Sequence, residues 1–80
     1  MTEKDFRFNI EVKKEMELQF RNTKYFVNYG IDNSGKNYIG FGEQNLPPQK
    51  YYSYSQFVNE AYLGVCPLRY SIEGLILLNS

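Results

Sequence analysis

Histidine and tryptophan are absent from this 80-residue chain, and Cys66 is its one cysteine. Without histidine, the Ser-His and Cys-His pairs that activate a nucleophile cannot be assembled. A lone cysteine forms no intramolecular disulfide and no cysteine metal cluster, which suits a reducing compartment. Cys66 stands beside Pro67 with no neighbouring cation to activate it, and reads as a small packing residue. Net charge is lacking too: nine Lys and Arg balance nine Asp and Glu. No overall field therefore draws the chain toward nucleic acid or an acidic membrane surface. Long apolar runs are missing as well. Met1 to Asp5 is charged, unlike a signal peptide, and Leu75 to Leu78 is far too short to span a bilayer. The expectation is a cytoplasmic protein with no membrane partner.

What the chain does carry is aromatic surface, with eight Tyr and six Phe. Tyrosine serves equally as half-buried core and as interface contact. The best-patterned stretch runs from Met16 to Glu43. Met16, Leu18 and Phe20 alternate with Glu17, Gln19 and Arg21, and then Tyr25, Val27 and Tyr29 alternate with Lys24, Phe26 and Asn28. Period-two alternation is the signature of half-buried strands. A two-residue turn at Asn22 and Thr23 would set Phe20 against Tyr25, Leu18 against Val27 and Met16 against Tyr29. Asp32-Asn33-Ser34-Gly35 is a turn cluster, and a third strand follows over Asn37 to Glu43 with Ile39 and Phe41 as core candidates. On its other face Gly40 and Gly42 mark either a bulge or a place where another group approaches the backbone closely.

Beyond the meander, Pro47 and Pro48 hold an extended connection, leading to an edge segment at Tyr51 and Tyr52. Ser53 with Gln56 forms a capping box, and Tyr52 with Phe57 its hydrophobic staple. The spacing predicts a helix over Tyr54 to Leu63 that buries Phe57, Val58, Ala61 and Tyr62, stops at Gly64, and has Val65 packed back on its end. Pro67 opens a second, shorter helix with Leu68, Ile72 and Leu75 on one side. Ile76 to Leu78 either completes the core or forms an apolar tail. Before the meander, Phe6, Phe8, Ile10 and Val12 alternate as in a strand, while Thr2 with Asp5 and the pair Phe6 and Ile10 fit a capped helix.

The order of these signals resembles small uncharacterised bacterial or mobile-element α-β-β-β-α domains. The resemblance lies in the hairpin Glu15-Met16-Glu17-Leu18-Gln19-Phe20 turning at an Asn into Lys24-Tyr25-Phe26, then a third strand, then a closing helix introduced by an aromatic residue and Ser53. It implies that Glu3 to about Val12 is helical, with Phe8 and Val12 off the main apolar stripe. It implies no activity. The expected fold class is α+β: one small domain, with a three-stranded antiparallel meander, a short N-terminal helix, and one or two C-terminal helices packed on one face.

Candidate chemistry is sparse. Glu15 and Glu17 form a carboxylate pair, most simply a solvated one. Asp32, Ser34 and Glu43 have a calcium-loop outline, but Lys36 and Asn37 occupy the positions where the loop demands a ligand and a glycine. Gly40-Phe41-Gly42 is only a fragment of a phosphate-binding motif. No enzyme, cofactor or metal is expected. Phe26 and Tyr38 fall on the face opposite the core, among Glu17, Gln19, Arg21, Lys24 and Asn28, as an aromatic centre in a polar rim. That pattern fits either a plain solvated sheet or a site. As a site, the partner-binding residues are Glu17, Arg21, Lys24, Phe26 and Tyr38, and the partner is another protein. A phage- or mobile-element-encoded inhibitor of a host defence enzyme, such as a CRISPR nuclease, is the biological role such a chain suits. The alternative is single-stranded nucleic acid stacked on the same aromatics, which the charge balance disfavours. A second copy of the chain is a further candidate partner, through an exposed third strand or Leu75 to Leu78.

Overall fold

The computed structural model describes residues 1–79. Helix α1 (Glu3–Glu11) is followed by β1 (Met16–Phe20), β2 (Thr23–Ile31), β3 (Asn37–Glu43) and β4 (Gln49–Tyr51), then α2 (Tyr54–Glu60). A small hairpin of β5 (Tyr62–Leu63) and β6 (Cys66–Pro67) leads into two 3-10 turns, Leu68–Tyr70 and Ile72–Gly74, and β7 (Ile76–Leu77) closes the chain. The protein is an α+β fold whose principal sheet has five antiparallel strands in the order β4-β3-β2-β1-β7. The meander forms as expected, the edge segment expected at Tyr51 and Tyr52 appears as β4 over Gln49–Tyr51, and β7 adds an unexpected strand at the other edge.

The N-terminal segment is a helix. Thr2 accepts a hydrogen bond from the Asp5 amide, which satisfies one of the free N–H groups of the first turn. Phe6 and Ile10, one turn apart, are buried, whereas Phe8 is 60% exposed on the far side. The strand-like alternation of Phe6, Phe8, Ile10 and Val12 is thus split by the helix into a buried pair and a solvent-facing pair.

The β1–β2 hairpin differs from expectation in register. Phe20 pairs with Thr23, Leu18 with Tyr25 and Met16 with Val27. The turn is therefore Arg21-Asn22, and not Asn22-Thr23. Arg21 adopts a φ of 56°, so that β-branched Thr23 can join the strand, where its side chain is better accommodated. A slip of two residues preserves which face each side chain occupies, and the predicted inward set survives it. Met16, Leu18, Phe20, Tyr25, Val27, Ile39 and Phe41 are all buried, while Tyr29 is half-buried.

Over that inner face lie Phe6 and Ile10 of α1, Phe57 of α2, and Leu68, Ile72 and Leu75 around the 3-10 turns, in one continuous core. Phe57 is its aromatic hub, with ring centroids 5.2 Å from Phe41, 5.3 Å from Tyr51 and 5.9 Å from Phe6.

Helix α2 starts as expected, with the Ser53 hydroxyl accepting from the Gln56 amide at 3.0 Å and the Gln56 side chain accepting from Tyr52 N at 2.8 Å. It ends earlier, at Glu60. Ala61 is extended, and its carbonyl accepts from Leu68 N rather than from the helix. Gly64, at φ 66°, turns the β5–β6 hairpin instead of capping a helix. Tyr62 and Val65, expected to pack on the helix, are consequently exposed. Tyr51, not Tyr52, is the aromatic that braces Phe57. The second closing helix is reduced to the two 3-10 turns, although Leu68, Ile72 and Leu75 are buried as predicted.

Ile76 to Leu78 does not trail away. Leu77 pairs with Leu18 and Ile76 with Gln19, and Leu78 N donates to Glu17 O. Asn79 extends the ladder with its side chain, accepting from Glu17 N at 2.7 Å and donating to Glu15 O at 3.1 Å. The β2–β3 ladder is unbroken past Gly40 and Gly42, so there is no bulge. What approaches those glycines is the chain itself. A Cβ on Gly42 would lie 3.3 Å from Pro48 Cα, and one on Gly40 would strike the Asn28 side-chain oxygen.

Candidate functional site

The inward residues of the sheet are covered, which leaves its outer face as the surface on which the sequence places a site. Strand alternation puts Glu17 and Gln19 of β1 there, with Lys24, Phe26 and Asn28 of β2. Glu17 and Phe26 are direct cross-strand partners, as are Gln19 and Lys24. Side chains so paired stand about 5 Å apart at Cβ. Glu17, Lys24 and Phe26 are therefore brought together as expected.

Arg21 is not. Its place in the turn swings the guanidinium over the Phe20 ring, 4.9 Å from the centroid, and Phe20 belongs to the inner face. Tyr38 is on the outer face but distant from Phe26. It pairs with Gly30 and lies across that glycine, whereas Phe26 pairs with Gly42, four residues along the same strand. At about 3.3 Å per residue this separates them by about 13 Å. Lys50 Nζ stands 4.8 Å above the Tyr38 ring. The single aromatic centre anticipated from the pattern is thus two separate aromatics.

Around Phe26 the relief is specific. A hollow of about 250 Å³ is bounded by Phe26, Glu17, Lys24, Gln44 and Leu78. A second, of about 230 Å³, borders Phe26 and Glu17 on the side of Asn28 and Asn79. Half-buried Phe26 and exposed Glu17 form the ridge between them. Ile76 and the partly covered Leu78, 56% and 42% exposed, extend this apolar patch across β1. Neither was assigned to the face from the sequence, since a two-residue strand has too few positions to display a period. The one signal available was the unexplained apolar run at Leu75 to Leu78.

At the opposite end of the molecule, a cleft of about 210 Å³ gathers tyrosines 29, 38, 51, 52 and 54 with Ile10 and Ile39. Its hydroxyls are partly committed to the protein's own structure. Tyr29 donates to Lys14 O at 2.8 Å and Tyr54 to Glu3 Oε2 at 2.7 Å. Burial, followed by the charge of Glu15, pushes the Tyr29 phenol up to about 12. Burial and then the bond to Glu3 hold the Tyr54 phenol higher still. Tyr52 lies beside Asp32, whose carboxylate raises it.

The Asp32 carboxylate itself is drawn below its usual range, first by the Lys36 amide. Its Oδ1 accepts from both Ser34 N and Lys36 N, which makes it the organiser of the β2–β3 turn. Among the described residues no three acidic, cysteine or histidine side chains converge as metal ligands, and no helix is long and apolar enough to cross a membrane. Comparison with protein families, curated proteins and solved structures finds no match to this chain.

Proposed function

We propose that the protein is a non-catalytic module that binds another protein through the outer face of its sheet, with Phe26 as the anchor. The observation that carries this is the ridge of Phe26 and Glu17 between two hollows, continued by Leu78 and Ile76 and rimmed by Gln19, Lys24 and Asn28. An aromatic side chain fixed in a sheet loses little conformational freedom on binding, and a polar rim excludes water around it, the arrangement typical of interface hot spots. With no histidine and one thiol, the chain has little to offer a reaction and more to offer as a blocking surface. The biological role we infer is stoichiometric inhibition of a host defence enzyme, such as a CRISPR nuclease, by a phage- or mobile-element-borne protein.

Affinity capture from a bacterial lysate carrying such enzymes, followed by titration of the captured enzyme, tests this. The Phe26→Ala and Leu78→Ala double variant, melting as the parent does, is expected to bind at least about tenfold more weakly. Retention of full affinity by that variant removes the face from consideration. Fluorescence anisotropy with single-stranded oligonucleotides distinguishes the alternative, because tight, salt-sensitive binding there identifies a nucleic-acid platform instead.

A further inference from the structure

A separate groove opens on the other side of the sheet, between the β3–β4 connection and the β5–β6 hairpin, with a volume of about 350 Å³. Tyr25, Tyr51 and Tyr62 line it together with Glu43 and Glu60, and neither lysine nor arginine does. Glu43 is the direct cross-strand partner of Tyr25, so the two side chains leave the sheet as neighbours on the inner face. The one ion pair among the described residues joins Arg7 to Glu11, which leaves both groove carboxylates without a cation.

Tyr25 supplies the second observation. Its side chain is only 6% exposed, wedged flat against Phe41 at 5.6 Å, and its hydroxyl points toward Gly64 at the groove. That hydroxyl has no hydrogen-bond partner among the described residues. Among the described residues no fully buried polar side-chain atom is left unpartnered, so the hydroxyl reaches solvent, and the groove that Tyr25 and Gly64 both line lies before it. A nearly buried phenol aimed into an acidic, aromatic-walled cavity, with no partner among the described residues, is a preformed polar group that an incoming side chain can meet.

We propose that this groove receives an arginine side chain from an extended segment of a partner protein. The guanidinium is planar, stacks on tyrosine faces and donates in a fork to carboxylates, so it suits a cavity that offers Glu43, Glu60 and the Tyr25 oxygen beside tyrosine rings better than a compact ammonium group does. Glycine at position 64 keeps the approach to Tyr25 open, and exposed Leu46 and Tyr62 give the stem of the incoming side chain an apolar bed. Fields from Glu43 at Tyr25 and from Glu60 at Tyr51, each acting after burial, raise those phenols and keep them neutral.

The test is an NMR titration of the full chain with acetylated, amidated Gly-Arg-Gly, beside the corresponding Lys, Glu and all-Gly peptides. The expected result is saturable movement of the Tyr25, Tyr51 and Tyr62 ring resonances with the Arg peptide. It should be weaker by about threefold or more in Glu43→Gln with Glu60→Gln, as loss of partly exposed charge pairs implies, and unchanged in Phe26→Ala. The last comparison separates this groove from the outer sheet face. Equal response to the Lys peptide, a response to magnesium or calcium chloride alone, or an Arg response that survives the double Gln substitution overturns the proposal. Tyr25→Phe, which preserves the ring packing, should also weaken the Arg response without lowering the melting temperature by more than a few degrees.

Discussion

Leu18 and Phe8 show how differently two apolar residues of one small protein can matter. Leu18 is fully buried at the centre of the sheet, between Tyr25 on one side and Leu77 on the other. Leu18→Ala removes three side-chain carbons from a packed site and is expected to cost about 2 to 5 kcal/mol, and Phe20→Ala a comparable amount. Phe8→Ala, on the solvent side of α1, should change stability by no more than about 0.5 kcal/mol. Urea denaturation of the three variants checks this, and equal midpoints would refute the assignment of the inner face. The same scale explains Arg21. By alternation alone it belonged with Glu17 and Lys24, but one residue at positive φ removes a side chain from a face without disturbing any other.

At the scale of elements, what could be read in advance was what repeats. β3 has the predicted bounds, the Asp32 turn is where its composition placed it, and α2 begins at the Ser53 cap. Each of these is governed by local chemistry or by several turns of a period. β5, β6 and β7 are two residues long, and no pattern can be seen in two residues. They exist because a partner strand is waiting, and the same tertiary pull ends α2 at Glu60. The hairpin register fell between these cases: its faces followed from alternation, but its turn depended on a residue type that rarely adopts the required φ. The candidate site was legible to the same degree, with Glu17, Lys24 and Phe26 adjacent, and with Ile76 and Leu78 hidden until β7 was seen.

The close fit of Pro47-Pro48 against Gly40 and Gly42 carries a prediction at this scale. In Gly42→Val the new side chain would press on Pro48 Cα and Pro47 O, displacing β4 while β1 and β2 remain paired. Hydrogen exchange should accelerate at Gln49 to Tyr51 but not at Leu18 or Val27, with an overall loss of about 1 to 3 kcal/mol. Uniform acceleration would show that β4 is not a separable edge.

For the molecule as a whole, tyrosine makes stability depend on alkaline pH. Burial is the leading cause of the upward shift at Tyr25, Tyr29, Tyr51 and Tyr54. In each, the unfolded chain ionises first, near 10, so the folded state is favoured in full below that pH and loses ground above it. For Tyr29 the loss runs from 10 to about 12. The urea midpoint should therefore hold level up to pH 10 and fall beyond it. Tyr29→Phe should give a shallower decline, although its loss of the bond to Lys14 O lowers the starting value. A midpoint that rises through this window would contradict the burial of these phenols.

The strand order also carries information about time. β1, β2 and β3 are joined by short turns and can find one another by local search, whereas β7 must return to β1 across almost three quarters of the chain, from Leu77 to Leu18. Contacts so far apart in sequence are entropically expensive to form early, so the hairpins are expected to form first and β7 last, an order that pulse-labelled hydrogen exchange would check by later protection at Ile76 and Leu77 than at Leu18 and Val27. The patch of Ile76, Leu78 and Phe26 is then completed only in the final step. On that order a chain still lacking β7 would present Phe26 without Ile76 and Leu78, and the intact surface would belong to molecules that have finished folding.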